Sequence, residues 1–587
     1  MKSDLQRIID LPVHQPADVD LTRLVVRPGA LFRGEPAKLL PVQSRFVQEG
    51  LDMDGALGFI GVGHGKTLTI LSLAYLLSVR KNIPTNKMLI LLPSSVRADF
   101  YAQWAEYVHA FRLPAGINIK SYDELSNPSS TAYFEQLKPE AIFCDEADAL
   151  RNFTASRTNR FLRYMKKNSI WFGGKCRLYA LSGTLQAKTI ADWAHLAKYA
   201  LGPNSPAPIE YRSLELFREV LDTEDPISNY LDPLVDAFGE EDESPRTAFR
   251  NRLLSTQGVV VTQDGSVDHV PLTFRKRNVY VPPDMEEHME KLQRSWELPN
   301  GEMLESALEI FAKGIELSQG FYHEYVWPDG EVNEPWLQAR RRWCREVQKA
   351  AMGGVAGYDS AKLLWDACVA EEMGGFRDKN LDAALREAYY EWKDHRDTPP
   401  PPTRAVWLSY YLVFDTLQWL KQQTEPVLVW SASPEMSDML GLWAPQFDVQ
   451  LKNLGVGPKA NAWLAARPKP INVIVSSNSH FRGKNLQQWR KNFLITPPSG
   501  GSLLEQKAGR THRQGQKKDV EFDVNQHTEA CRKAWSSCGV DARGAEGTVG
   551  VKNKLNHAVV VEAPELVDLP ADWPADAMVP PGYRRRH

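Results

Sequence analysis

The stretch "ALGFIGVGHGKTLTILSLAYLL", residues 56–77, decides how this chain folds. It opens as a short apolar run of strand type, breaks at glycines 61, 63 and 65, and from residue 66 continues with apolar residues at helical spacing. A chain of phosphates needs inward-pointing backbone N–H groups, which glycines permit, together with a cationic side chain and a hydroxyl for a magnesium ion. Gly63, Gly65, Lys66 and Thr67 supply these, with His64 inside the turn. The strict form of the motif wants glycine at position 60, where this chain has Ile60, so the match is to the shorter G-x-G-K-T version. The bland alternative is a helix-initiating glycine turn with an incidental Lys-Thr.

Working outward, "KMLILLP", "EAIFCDE" and "CRLYALSG" are further strand-like runs separated by helical periods, which predicts a parallel sheet flanked by helices. "AIFCDEADAL", residues 141–150, puts Asp145, Glu146 and Asp148 together at the end of such a strand. Carboxylates this close repel, so a cation or a proton to be managed is one reason to place them there. A solvated helix start is the other. Beside a phosphate loop the first reading assigns Asp145 to the metal and Glu146 to orienting water, with Asp148 making contacts inside its own lobe. Late in the chain "PVLVWSA", "INVIVSS", "KNFLITP" and "DVEFDVN" repeat the strand grammar, and "EQKAGRTHRQGQ", residues 505–516, places Arg510 and Arg513 on one face if helical. Those guanidinium groups either complete a phosphate site from a second lobe or line a solvated basic helix.

Length and composition set the bounds. At 587 residues the chain exceeds one ordinary core, and 43% hydrophobic with 24% charged residues is the balance of a soluble globular protein. Net charge is −3, so any basic surface is local. Six cysteines without a C-x-x-C pair suggest a reduced chain without a zinc site. No signal peptide is evident at the start, and the longest apolar stretch is too short for a bilayer, so an intracellular, cytoplasmic or nucleoid-associated protein without membrane contact is expected. The expected division is an N-terminal extension at 1–37, a first α/β lobe at 38–204, a mostly helical insertion at 205–402, a second α/β lobe at 403–560 and a tail at 561–587. "DTPPPPT", residues 397–403, marks a stiff entry into the second lobe. The insertion's tryptophans, at 296, 327, 336, 343 and 365, are expected to pack rather than to stack on bases, and "ARRRWCR" at 339–345 is either a phosphate grip or a solvated face. His480 and His512 lack partner spacing for a metal, and phosphate or interlobe contacts are expected of them.

Taken together these segments resemble the superfamily-two nucleic-acid motors, and among them the Swi/Snf-type DNA translocases. The sixth motif of that group resembles Q-x-x-x-R-x-H-R-x-G-Q, matched by Gln506, Arg510, His512, Arg513, Gly515 and Gln516. "LLPVQ" with Gln43 resembles the adenine-reading segment, "LLPSSVRADFYAQW" the first strand-contacting motif, "LSGT" at 181–184 the coupling motif, and "FRGKNLQQW" at 481–489 the fifth. The chain departs from the pattern at Ile60 and Gly61, at Leu185, and in spelling its acidic box D-E-A-D, which RNA helicases of the same superfamily share. The resemblance implies two RecA-like lobes around a helical insertion and an ATP- and Mg2+-dependent motor acting on nucleic acid, most of all double-stranded DNA. Strand-separating helicase action and an inactive scaffold stand as alternatives. It further implies ATP contacts at Gln43, Gly63, His64, Gly65, Lys66, Thr67 and Gln506, metal ligands at Thr67 and Asp145, and catalytic roles for Lys66, Glu146, Arg510 and Arg513. Nucleic-acid contacts are implied at Pro93, Ser94, Ser95, Tyr122, Arg482 and Asn485.

Overall fold

The computed structural model describes all residues except 1–2, 224–227, 240–243, 264–269, 354–359, 376, 380, 467, 482, 514 and 565–587. Six strands form a first, wholly parallel sheet: β1 (Ala56–Phe59), β2 (Met88–Leu92), β3 (Asn118–Ser121), β4 (Ala141–Asp145), β5 (Arg177–Ser182) and β6 (Val259–Val261), in the order β3-β2-β4-β5-β1-β6. The chain then crosses over. β7 (Leu272–Arg277) is the first strand of a second body, β8 (Phe321–Tyr325) and β9 (Thr403–Trp407) form an antiparallel ribbon, and six more strands follow. These are β10 (Val427–Ser431), β11 (Leu451–Asn453), β12 (Asn472–Ser476), β13 (Lys491–Leu494), β14 (Val520–Asn525) and β15 (Val559–Glu562). With β7 they make a seven-stranded parallel sheet ordered β11-β12-β10-β13-β14-β7-β15.

The apolar strands are explained by burial on both faces, as parallel sheets require. Period-two alternation divides each strand between two cores. In β2, Leu89 and Leu91 join Ile142, Cys144, Leu178 and Ala180 on one side, while Met88, Ile90 and Leu92 join Ala141, Phe143, Tyr179 and Leu181 on the other. The second sheet repeats this with Val427, Val429 and Phe493 against Leu428, Trp430, Leu494, Phe522 and Val524.

Two expected boundaries shift. The first body does not end at 204, because β6 pairs with β1, and the second sheet does not begin at 403, because β7 pairs with β14. β6 has only three residues, and β7, though six long, carries three basic residues, so neither shows the apolar run that marks the other strands in the sequence. Residues of the N-terminal 1–37 segment are built into the first body: Leu5 and Ile8 enter its core, and Arg7 donates to the carbonyls of Pro203, Ser205 and Ala207. In the chain between β8 and β9, helices Glu334–Met352, Ala361–Glu372 and Ala383–Arg396 share a small core in which Trp336 and Trp343 are buried and Trp296, Trp327 and Trp365 pack partly buried. In "ARRRWCR", Arg340 pairs with Glu302 and Arg342 with Glu387 and Glu391, which leaves Arg341 and Arg345 as the outward arginines of that run. Among the described residues no helix is long and apolar enough to cross a membrane, and all six cysteines are buried and unpaired.

Candidate functional site

The site is built where strand ends of the first sheet meet the second body. In an open parallel sheet ligands gather at the carboxyl ends of the strands. β1 ends at Phe59, and the loop after it turns through Gly63 and Gly65, whose φ angles of 97° and 71° are left-handed, before the helix Lys66–Arg80 begins. A side chain at 65 would be strained by that φ and would also stand 2.4 Å from the Gln43 amide. Gln43 braces the loop. Its Oε1 accepts from the Leu40 amide, and its Nε2 donates to the carbonyls of His64 at 3.0 Å and Gly65 at 3.2 Å. The expected adenine reader is thus almost fully buried against the phosphate loop, with its amide directed at the backbone.

β5 lies between β1 and β4, and this brings three strand ends together. Gly183, just past β5, leaves so little room that a Cβ there would sit 3.0 Å from the Ile60 carbonyl. Lys66 Nζ lies 3.4 Å from Glu146 Oε1, with both side chains largely buried. Glu146 itself has a left-handed φ of 50°, unusual for a residue with a side chain and a mark of local strain. The Ser182 hydroxyl lies 3.2 Å from Glu146 Oε2 and 3.0 Å from Asp148 Oδ1, so Asp148 is engaged inside its own body. Asp145 is fully buried, and its Oδ1 has no hydrogen-bond partner. Burial first, and the adjacent Glu146 carboxylate second, raise its pKa well above the ordinary carboxylate range, with the Lys66 ammonium opposing. An orphaned buried carboxylate oxygen in a cleft that Thr67 also lines fits a divalent cation. Magnesium takes few protein ligands and fills its shell with water and phosphate oxygens.

The far wall comes from the second body. Arg510 and Arg513 line the same cleft as Gly65, Lys66, Thr67, Asp145 and Glu146. Arg510 lies in the last turn of the helix Gly501–Thr511, its Nε donating to the Gln506 carbonyl at 3.1 Å, while Arg513 follows beyond the helix end, so the two do not share one helical face as expected. Gln506 reaches across, donating from Nε2 to Thr184 Oγ1 at 2.7 Å.

No protein-family model and no curated protein matches this chain. The case for the site therefore rests on its geometry.

Other expected contacts divide. Ser94 and Asn485 are exposed, Ser95 is half-buried and Pro93 is buried. Arg482 lies outside the described residues. Tyr122 is a correction: it is 1% exposed, and its hydroxyl donates to the Asp145 carbonyl at 2.9 Å, so it braces the end of β4 and cannot meet a nucleic acid. Neither His480 nor His512, expected to make phosphate or interlobe contacts, is among the residues that line the cleft: His480 Nδ1 accepts from the Ser476 amide, and His512 Nε2 lies 2.7 Å from the Val270 carbonyl, in the segment that crosses from the first body to β7. Sequence reading missed Asp99, which lines the cleft and pairs with Lys484 of the second body at 2.8 Å. Only the contact between the two bodies marks it, and no spacing in the sequence does.

Proposed function

We propose that this chain is a nucleic-acid-dependent ATPase, with its two parallel sheets as RecA-like lobes, and that it moves along double-stranded DNA in the manner of Swi/Snf-type motors. One observation carries the reading. A glycine loop, a lysine, a hydroxyl and two strand-end carboxylates on one body face two arginines presented by the other across a single cleft. The substrate is ATP. Lys66 binds the β and γ phosphates, and the loop amides freed by Gly63 and Gly65 surround them. Thr67 and Asp145 hold magnesium, which when bound offsets phosphate charge. Glu146 orients the attacking water and takes its proton, while Arg510 and Arg513 stabilise the charge that develops on the transferring phosphoryl, an effect worth about 10³ to 10⁵ in rate in GTPases. Because the arginines ride on the other sheet, hydrolysis is tied to how closely the bodies approach. Ser94, Ser95 and Asn485 flank the junction on its exposed side and suit phosphate contacts of low sequence preference.

ATP hydrolysis measured with duplex, single strands, forks and RNA tests the reading, alongside displacement of a third strand from duplex. Duplex is expected to stimulate most. Lys66→Ala is expected to lower stimulated hydrolysis by at least ~100-fold, in line with the loss of a phosphoryl-stabilising charge. Stimulation by RNA alone overturns the duplex assignment, and full activity in Lys66→Ala overturns the site.

A further inference from the structure

The loop after β12 touches the first body at two adjacent residues. Gly483, with φ of 72°, packs so closely that a Cβ would stand 2.4 Å from Val96 Cγ1. Lys484 follows it with a nearly buried side chain whose Nζ lies 2.8 Å from Asp99 Oδ2, in the helix Arg97–Tyr107. The same residue's carbonyl faces the other way and accepts from Arg510 Nη1 at 3.4 Å and from Arg513 Nη1 at 3.5 Å. One residue therefore joins an acid of the first body, through its side chain, to both guanidinium groups of the second, through its backbone.

We propose that Lys484 and Asp99 form a positioning pair that converts closure of the two bodies into the aim of Arg510 and Arg513. The inference rests on the ATPase reading above. An ion pair buried on its lysine side and partly open on its aspartate side adds little net stability, yet it fixes geometry because the nearly buried Lys484 ammonium is costly to leave without its partner. Guanidinium groups that must meet a transferring phosphoryl are sensitive to such placement, since a misplacement of about 1 Å can cost on the order of 10²-fold in rate. The contacts from the two arginines make the Lys484 carbonyl one of the groups that set where both guanidinium groups point. The rival role for Lys484 is direct capture of phosphate, with Asp99 as a neutralising neighbour. That role acts on ATP affinity, whereas positioning acts on turnover.

Steady-state ATPase kinetics, with the most stimulating nucleic acid, separate the two on wild type, Asp99→Asn, Lys484→Gln, the double variant and Lys484→Arg, with Lys66→Ala as the inactive reference. Asp99→Asn keeps the shape of a partly exposed side chain, and thermal unfolding checks each variant for an intact fold. Each single variant and the double are expected to lose kcat by a similar factor, about 10- to 100-fold, because each breaks the same link. KM for ATP is expected to stay within about threefold, and Lys484→Arg, which keeps a cation, to retain at least about a third of wild-type kcat. Multiplying losses in the double variant, or losses carried by KM, overturn the positioning pair. Active wild type with an unaffected Asp99→Asn overturns it alone, while wild type that hydrolyses no ATP overturns the ATPase reading on which it stands.

Discussion

At the scale of single residues, several charges are held where water does not reach them, each for a different reason. Asp145 lines the cleft and keeps a buried oxygen without a hydrogen-bond partner, which is costly unless the group serves a site. Arg277 is buried too, but satisfied: it pairs with Asp415 at 3.0 Å and donates to Asn525 Oδ1, tying β7 to its neighbours. Among the described residues, Lys507 has no ion-pair partner. It lies inside the helix Gly501–Thr511, and burial lowers its pKa from 10.5 to about 8. A lysine depressed in the folded state leaves the unfolded chain holding more protons between those two values, so its contribution to stability rises as pH climbs through that window. Below pH 8 both states are protonated and the full penalty of the buried charge applies, on the order of 3 kcal/mol at 1.36 kcal/mol per unit. Lys507→Met is therefore expected to be more stable than wild type near pH 7, by a margin that narrows toward pH 10. Thermal unfolding of both proteins across that range checks it, and a margin independent of pH would place the lysine's ammonium in solvent.

At the scale of elements, the helix Gly501–Thr511 carries most of what the second body brings to the cleft, and its seating depends on a missing side chain. Gly509 faces Val62 of the phosphate loop, and a Cβ at 509 would stand 2.7 Å from Val62 Cγ1. Gly509→Val is expected to push the helix off the loop, separating Gln506 from Thr184 and withdrawing Arg510. Hydrolysis should fall by about two orders of magnitude, as for misplaced catalytic groups, while far-ultraviolet circular dichroism and nucleotide binding to the first body stay close to wild type. Unchanged hydrolysis would show that the two elements need not touch. How much of this was legible in sequence follows the physics of each element. The loop after β1, the strand-end acids of β4 and the arginines at 510 and 513 stood out in the sequence because the motifs they resemble place fixed residue types at fixed spacing, although Arg513 lies beyond the end of this helix at Thr511. β6 and β7 were not, since three valines and an LTFRKR stretch become strands only through neighbours distant in the chain. Tyr122 was misread for a related reason: its exposure is set by the sheet it lies under, and nothing in the adjacent sequence records that. Asp99 and Lys484 met only when the two bodies were placed side by side.

At the scale of the whole molecule, the bodies are joined by unequal connections. The chain crosses once between β6 and β7, and the long helix Glu529–Val549 bridges them a second time, with Cys538 in the second body's core and Val549 in that of the first. The contacts at the cleft, Gln506 with Thr184 and Lys484 with Asp99, involve few atoms by comparison. Opening for nucleotide exchange is thus expected to break the cleft contacts while the helix and the crossing act as hinge, because interfaces switch between discrete arrangements more readily than packed cores deform. The cysteines offer a way to see this, since all six are buried and none lines the cleft. Burial pushes the thiols of Cys144, Cys344 and Cys538 up to about 12, so thiolate is scarce as well as inaccessible. If opening is a hinge motion that leaves both cores packed, a thiol reagent should find none of the six reactive on the timescale of minutes, with or without nucleotide and DNA, and all six once denaturant unfolds the chain. Cys538 is the sensitive reporter, because it lies on the bridging helix and contacts the Pro498 carbonyl at 3.2 Å. Labelling of Cys538 during turnover would mean that this helix peels from the second sheet, and the hinge would then lie within the second body instead of between the two.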